Sequence, residues 1–241
     1  MKTEKIWSET QQKWVKVVKL WSEEEENWRK EIVDYTYVTS VDDIQFQGIV
    51  LEDGRKKLYF NDWPWITKSY YKEIIINPTR FSGRPAGERT YEVITSEGKR
   101  GLYISKNFFK NKPELIVPEE FNMIRTTSMA IGVRKGEKSG LYSYEGKIIV
   151  PIEYSRIITG KKVVIVLKNV VEPYENKYAI FGDKDIGLQG GREEGICGVY
   201  SYEGKHILED EYFKIEEKLT GIKVWVDERN YKMFSFAGEE M

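Results

Sequence analysis

Hydrophobic and polar residues alternate along short segments of the chain, and turn residues separate these segments. The alternation places unlike side chains on opposite faces of an extended backbone over residues 139–144, and a second such segment covers 148–157. Glu145 and Gly146 lie between the two, and glycine supplies the positive φ angle that a tight hairpin turn needs. The pattern therefore predicts a β-hairpin over these residues.

The same hairpin recurs along the chain. Residues 198–204 repeat 140–146 with a single change, Leu141 to Val199, and a third copy covers about 100–125. Weaker copies lie towards both ends. Each copy has an aromatic residue after the aliphatic one, and these aromatics recur about every 40 residues, at Trp21, Tyr59, Tyr103, Tyr142, Tyr200 and Phe234. A period of this size is typical of arrays whose units bury their apolar faces by stacking on one another.

Each unit is predicted to have three antiparallel strands, namely a leading strand, the Gly-Leu-Tyr strand and the Ile-Val-Pro strand. We expect one all-β repeat domain over residues 1–241, built from about five to six units with little helix. The units are predicted at 1–45, 46–76, 91–125, 130–158, 178–216 and 221–241, with insertions at 77–90 and 181–195. An open solenoid and a closed, propeller-like ring both fit this pattern. A sandwich of similar hairpins without true repetition is the alternative.

One short stretch leaves two interpretations open. Ser22 and Glu25 have the spacing of a capping box, which would start a helix through Ile32. A solvated turn in the acidic run 23–26 is the favoured interpretation.

Residues 140–157 carry a recognisable motif, Gly-Leu-Tyr-x-x-x-Gly-Lys-x-Ile-Val-Pro-x-x-Tyr-x-x-Ile. The motif resembles the tryptophan–glycine (WG) repeat of bacterial proteins, whose consensus has Lys-Trp-Gly, an aliphatic pair, Asp, Gly-Lys, Val-Ile-Pro and Tyr. The resemblance covers about 100–125, 139–157 and 197–215. In these copies the tryptophan before the glycine is replaced by Arg100, Ser139 and Cys197. The resemblance implies a β-rich repeat fold with a binding or scaffolding role, and it brings no catalytic residues.

Composition narrows the classes of function. Of the 241 residues 40% are hydrophobic, enough for one sizeable core or an elongated array. The 38 basic and 39 acidic side chains leave a formal net charge of −1. Since duplex nucleic acid binding normally shows as a strongly basic domain, no duplex partner is expected.

Cysteine, histidine and apolar runs exclude further classes. The single cysteine, Cys197, cannot form an intramolecular disulfide, and with the single histidine, His206, it cannot supply the usual zinc ligands. Both are predicted to be strand residues. We therefore expect no metal and no cofactor. No apolar run reaches the length of a membrane span and the first residues lack a signal-peptide core, so the sequence predicts a cytoplasmic protein without a membrane partner.

The two insertions are the first candidates for a site, because long loops on a regular scaffold often carry function. The segment 77–90 contains three arginines, Arg80, Arg84 and Arg89, and the glycine-rich segment 181–195 contains Arg192. Arginine forks and loop amides together could hold a phosphate or carboxylate, although neither loop matches a phosphate-binding fingerprint. A flexible surface loop is the simpler interpretation. Trp63 and Trp65 flank Pro64 in another turn, where exposed rings could stack on a ligand or a partner.

The leading hypothesis is a non-catalytic binding or scaffold protein that recognises a protein partner through its repeat surface and inserted loops. The alternative is capture of a small anion, such as a nucleotide or sugar phosphate, by the arginine loop. A third hypothesis is glycan hydrolysis between paired carboxylates beside Trp63 and Trp65, but no spacing selects such a pair. Exposed strand edges also predict oligomerisation through an edge, unless Lys-rich and Glu-rich ends prevent it.

Overall fold

Every regular element that the structure describes is a β-strand. The computed structural model describes residues 3–9, 11–22, 27–33, 35–41, 44–51, 53–59, 67, 69–78, 89–106, 113–168, 196–227 and 229–241. Within these ranges 21 strands form six small sheets. The strand pairs with a described register are all antiparallel. The all-β array predicted from the sequence is confirmed. Among the described residues there is no helix long and apolar enough to cross a membrane.

The chain divides into two compact units, Met1–Glu120 and Phe121–Met241. The first unit contains the first three sheets, in which strands adjacent in sequence are also neighbours. The first sheet consists of β1 (Thr3–Ser8), β2 (Lys13–Ser22) and β3 (Asn27–Val33). The second consists of β4 (Tyr35–Val41), β5 (Ile44–Val50) and β6 (Lys56–Tyr59). The third consists of β7 (Glu73–Pro78), β8 (Arg89–Ile94), β9 (Arg100–Ser105) and β10 (Glu114–Phe121). Because Asn27–Val33 is a strand, the helix through Ile32 is not formed.

The second unit contains the other three sheets, with the same order of neighbours. The fourth sheet consists of β11 (Met123–Thr126), β12 (Ile131–Lys135), β13 (Lys138–Tyr142) and β14 (Ile148–Tyr154). The fifth consists of β15 (Arg156–Thr159), β16 (Val163–Lys168), β17 (Ile196–Ser201) and β18 (His206–Tyr212). The sixth consists of β19 (Lys214–Glu217), β20 (Ile222–Trp225) and β21 (Tyr231–Phe234).

Three sheets have the predicted three strands, and the other three have four. The fourth strand arises because the segment 148–157, predicted as one strand, breaks at Ser155: β14 ends at Tyr154, and Arg156 begins the next sheet. The second and sixth sheets carry one isolated bridge each, Lys56 with Tyr71 and Phe234 with Glu240, at the positions where a fourth strand pairs in the larger sheets. Each sheet is therefore offset from the sequence repeat by one short strand.

The fifth sheet shows how neighbouring sheets bury their apolar faces. Side chains of β16 alternate between two clusters, because successive residues of a strand point to opposite faces. Val164 and Val166 join the cluster around Tyr154, whereas Val163 and Ile165 join the cluster on the other face. Five consecutive residues of this strand, 163–167, are buried. Stacking on both faces is what the repeat pattern predicts for an internal unit.

The predicted hairpin turns form as expected. Gly146 and Gly204 have φ angles of 80° and 88°, in the left-handed region that glycine adopts without steric cost. The side-chain oxygen of Ser143 accepts hydrogen bonds from the backbone N–H groups of Glu145 and Lys147, at 3.1 and 3.3 Å. Ser201 does the same in the second copy. The Ser-Tyr-Glu-Gly-Lys sequence therefore contains both the glycine and the acceptor that its turn requires.

Candidate functional site

Aromatic side chains link successive repeats along the chain. The aromatic residue that follows the Ile-Val-Pro position packs on the aromatic residue of the next Gly-Leu-Tyr position, and we call each such contact an aromatic junction. The four ring pairs are Tyr71–Tyr103 at 6.4 Å, Phe121–Tyr142 at 6.0 Å, Tyr154–Tyr200 at 5.9 Å and Tyr212–Phe234 at 6.1 Å between centroids. The first three are edge-to-face, the arrangement that ring quadrupoles favour. The repeat thus places an aromatic pair at each of these positions.

The junction of Tyr154 and Tyr200 carries a network of polar groups. The two hydroxyl groups lie 2.9 Å apart, and the Tyr154 hydroxyl donates to Asp210 at 2.9 Å. Asp210 also faces the Lys168 ammonium at 2.9 Å and Nε2 of His206 at 3.2 Å. The His206 ring stacks on Tyr200 with 4.3 Å between centroids. His206 is thus a strand residue, as predicted, and part of this network.

Burial and hydrogen bonds raise the pKa of three groups in this junction, Tyr154, Tyr200 and Lys168. Burial, followed by hydrogen bonds with Tyr200 and Asp210, raises the pKa of Tyr154. Burial also raises the pKa of Tyr200. Hydrogen bonds to Asp210 and Glu153 raise the pKa of Lys168, so its ammonium stays charged. The phenols are therefore neutral donors around a carboxylate whose two oxygens already have partners, which is an arrangement suited to holding sheets together.

A second polar junction lies in the first unit. The hydroxyl groups of Tyr71 and Tyr103 are 2.9 Å apart, and the Tyr71 hydroxyl donates to Glu119. Burial, together with the hydrogen bond to Glu119, raises the pKa of Tyr71. Glu119 and Asp210 occupy the same position of the repeat, one residue after the proline position. The same three-group motif therefore forms twice.

The glycine of Gly-Leu-Tyr makes room for these carboxylates. A Cβ atom built on Gly198 would lie 2.0 Å from Oδ1 of Asp210, and one on Gly101 would lie 2.6 Å from Cγ of Glu119. Both distances are far shorter than van der Waals contact allows. A side chain at this strand position would therefore displace the cross-strand acidic side chain from its observed place.

The third junction has the same geometry and different chemistry. Phe121, fully buried, replaces the tyrosine, and Ile152 replaces the carboxylate. A Cβ atom on Gly140 would lie 2.7 Å from Cγ1 of Ile152. The glycine is thus close to the side chain at this position in all three copies. The hydroxyl that donates to the acid and the acid itself are therefore absent together from this junction, while the phenol of Tyr142 remains.

Among the described residues, the most exposed aromatic pair lies on the β1–β2 hairpin. Trp7 and Trp14 face each other across the two strands, with 5.9 Å between ring centroids and an edge-to-face angle of 73°. Their side chains are 47% and 66% exposed. Large apolar groups left this exposed are characteristic of interaction sites rather than of a packed core. Sequence reasoning missed this pair, although the two tryptophans lie on either side of the polar run 8–13.

Another aromatic pair covers one face of the sixth sheet. Trp225 and Tyr231 lie opposite each other, and Nζ of Lys223 stands 4.5 Å from the Trp225 ring and 3.8 Å from the Tyr231 ring. Nζ of Lys214 also lies near the Trp225 ring, 4.7 Å from its centroid. The two rings are thus occupied by the protein's own lysines, so this face is less available than the Trp7–Trp14 pair.

Most of the site residues predicted from the sequence lie outside the described residues, and only Arg89 has a described position. Those outside are Trp63, Trp65, Arg80, Arg84 and Arg192. Arg89 is the first residue of β8, paired with Pro78 of β7, and its side chain is only 9% exposed. The strands therefore extend into the predicted insertion 77–90 from both sides.

The two insertions leave their sheets at different ends. The chain leaves the third sheet after its first strand, at Pro78, and returns at Arg89. It leaves the fifth sheet after its second strand, at Lys168, and returns at Ile196. In an antiparallel sheet these connections are at opposite ends. Lys168 places the second departure beside Asp210 and the polar junction.

Within the described part of the chain, no group of three or more His, Cys, Asp and Glu side chains has the arrangement of a metal site. Cys197 is buried in β17.

Comparison with known proteins gives no family. No protein-family model matches the chain, and no curated protein matches it. Among solved structures, one similar chain belongs to a crystal structure of BBS1N in complex with ARL6DN, soaked with mercury, at 12% identity and a TM-score of 0.27. The alignment covers 86% of this chain and 63% of the other, less than two thirds of its length. A similarity of this size carries no argument about function.

Proposed function

We propose that the protein is a non-catalytic binding protein that recognises a protein partner, with the exposed Trp7–Trp14 pair as an anchor. The single observation that carries the proposal is the exposure of these two rings, 47% and 66%, on the β1–β2 hairpin. Tryptophan is among the residues most enriched at the energetic centres of protein interfaces. The inserted loops are further candidate contacts.

A purely structural role accounts for only part of this arrangement. An edge-to-face pair stabilises a two-stranded ribbon by about 0.5–1.5 kcal/mol, and a ribbon of this kind is marginal by itself. That role requires only the ring surfaces that touch. Most of the Trp14 surface remains in water, and a partner that covered it would recover about 25 cal/mol for each Å² buried.

The chemistry of the described polar groups supports a role without catalysis. A general base needs a free acceptor and a pKa close to the working pH. Asp210 is already engaged by Tyr154, Lys168 and His206, and the pKa of each phenol in this junction is raised. We propose neither glycan hydrolysis nor capture of a small anion, because no contact of the described residues favours them.

A pull-down from a lysate of the organism that makes the protein tests the proposal. The bait proteins are the wild type, the double variant Trp7→Ser with Trp14→Ser, and a control with the exposed Leu219 and Met129 changed to serine. We expect a protein that the wild type and the control retain and the tryptophan variant loses. Retention of the same proteins by all three baits would refute the proposal, provided that circular dichroism shows each bait folded.

A further inference from the structure

We propose that the face of the β1–β2 hairpin that carries Trp7, Trp14, Lys5 and Lys16 binds an acidic, extended segment of the partner protein. This inference rests on the proposed partner-binding function and specifies the chemistry of the partner. We call these four residues the hairpin face. Its occupant would bring carboxylates to the two lysines and aliphatic side chains to the two rings.

The register of the hairpin brings the four side chains together. Trp7 pairs with Trp14, and Lys5 pairs with Lys16 two residues further along. Residues two apart in a strand lie on the same face, so the lysine pair adjoins the tryptophan pair. The third strand ends at Val33, opposite Lys16. The tryptophan end of the hairpin therefore extends beyond the third strand as a two-stranded ribbon.

Within the described part of the chain, no ion pair balances the charges of the hairpin face. Like charges directly opposite each other on neighbouring strands destabilise a sheet, and Lys5 stands opposite Lys16. Neither lysine forms an ion pair with any residue in the described part of the chain. On the opposite face of the same hairpin, Lys19 does pair with Glu4, at 3.7 Å. An acidic segment would supply the missing counter-charge.

The position of β1 in its sheet indicates how the segment would bind. The first sheet has the order β1-β2-β3, so β1 is an edge strand. An extended peptide can add to such an edge through main-chain hydrogen bonds, while its alternate side chains give specificity. An edge lysine such as Lys5 also discourages unwanted pairing, but that role does not account for the exposed tryptophans next to it.

Charge also distinguishes the partner from a second copy of the chain. A symmetric dimer brings the same patch of both subunits together. Here that contact would place Lys5 and Lys16 against their own equivalents, which repel. An acidic segment from a different protein has the complementary charge and is therefore the occupant that the hairpin face favours.

Peptide binding tests the chemistry directly. The probes are three labelled peptides in which leucine alternates with glutamate, glutamine or lysine, and fluorescence anisotropy measures their affinity for the full chain. The wild type should bind the glutamate peptide at least about tenfold more tightly than the glutamine peptide, and this preference should shrink as NaCl rises from about 50 to about 500 mM. Equal binding of these two peptides would overturn the inference.

Charge reversal then tests the location. Lys5→Glu with Lys16→Glu keeps a like-charge pair across the strands, so stability should change by less than about 0.5 kcal/mol. The affinity of this variant for the glutamate peptide should fall at least about tenfold, and its affinity for the lysine peptide should rise. Lys147→Glu with Lys205→Glu makes the same change of charge at two exposed turn lysines and should bind like the wild type. Unchanged peptide preference in the Lys5 and Lys16 variant would refute the inference.

The two proposals fail in different ways. If the pull-down loses a partner with Trp7→Ser and Trp14→Ser but the glutamate peptide does not bind, the acidic chemistry is wrong and the partner-binding function stands. If no partner depends on the tryptophans, the proposed function itself fails. Chemical cross-linking of the wild type would detect a second copy as the occupant instead, and a dimer lost in the tryptophan variant would overturn the acidic-segment inference.

Discussion

The polar and the apolar aromatic junctions of this protein have one geometry and two chemistries. Around Tyr154 a phenol, a second phenol and the Asp210 carboxylate are joined by hydrogen bonds of 2.9 Å. Around Phe121 one phenol, Tyr142, remains, but the hydroxyl that corresponds to that of Tyr154 is missing and Ile152 stands in the place of the acid. The comparison teaches that the backbone fixes which positions meet, while the side chains at those positions must change together.

The physical reason is the free energy lost when a buried hydrogen-bond donor or acceptor has no partner. A buried hydroxyl without its acceptor, or a buried carboxylate without its donors, loses its hydration and gains nothing in exchange. This loss is avoided when the donor and its acceptor are both present, and also when both are absent. The chain contains each of the two consistent solutions, and substitutions that mix them should be the damaging ones.

Removal of the acid from the polar junction should have the largest effect. Asp210→Leu leaves the Tyr154 hydroxyl without its acceptor and separates Lys168 and His206 from their shared carboxylate. We expect a loss of about 2–4 kcal/mol in the free energy of unfolding, measured by urea denaturation. Ile152→Leu, at the same position of the apolar junction, is the control and should cost less than about 1.5 kcal/mol. Equal losses would contradict the distinction between the junctions.

Conversion of the apolar junction into a polar one should sharpen the comparison. Ile152→Asp alone should destabilise the protein by about 1–3 kcal/mol, because Phe121 lacks the hydroxyl that donates to the acid in the polar junctions. Addition of Phe121→Tyr supplies that donor. A double-mutant cycle should give a favourable coupling energy of about 1–3 kcal/mol. Additive effects on the free energy of unfolding would show that the two positions are not energetically coupled.

Removal of one hydroxyl should have a smaller effect. Tyr154→Phe deletes the group that bonds both Tyr200 and Asp210 but leaves Lys168 and His206 on the acid. The expected cost is about 1–2 kcal/mol, well below that of Asp210→Leu. Differential scanning calorimetry of the two variants side by side tests this order. A larger loss in Tyr154→Phe would mean that the phenol, and not the acid, is the centre of the network.

The smallest expected effect is a difference in stability between the wild type and Tyr154→Phe at alkaline pH. The raised pKa of Tyr154 means that the folded state holds this proton more tightly than the unfolded state, whose tyrosines titrate near about 10. The stabilisation is present below that pH and is lost as the pH rises above it. Between about pH 9 and 10.5 the wild type should therefore lose about 0.8 kcal/mol more stability than Tyr154→Phe. Parallel pH profiles would contradict the assignment of a buried, protonated phenol.

Local features of the fold could be predicted from the sequence, and features that depend on a distant neighbour could not. The turn at Gly146 follows from adjacent residues, and its φ of 80° agrees. The close approach at Gly198 depends on Asp210 of the facing strand, which the motif does not show. The break at Ser155 was invisible because both of its sides are β-forming.

Site prediction met the same limit. Arg89 followed a run of loop-forming residues, yet backbone pairing with Pro78 places it in β8. The exposure of Trp7 and Trp14 depends on how far the third strand extends, and hydrophobic pattern alone predicts burial for both. Composition therefore predicts that aromatics are abundant, and only the pairing register tells which of them face water.

The offset between sheet and sequence repeat has a consequence for how the array can grow. Tyr154 ends one sheet and Arg156 begins the next, with only Ser155 between them. Between Tyr103 and Phe234, a stretch of gene encoding one full period therefore contains four strands wherever it starts. Tandem duplication of such a stretch adds one complete sheet, whichever residue the stretch begins at. The number of sheets can therefore change while each aromatic junction keeps the same neighbouring strands.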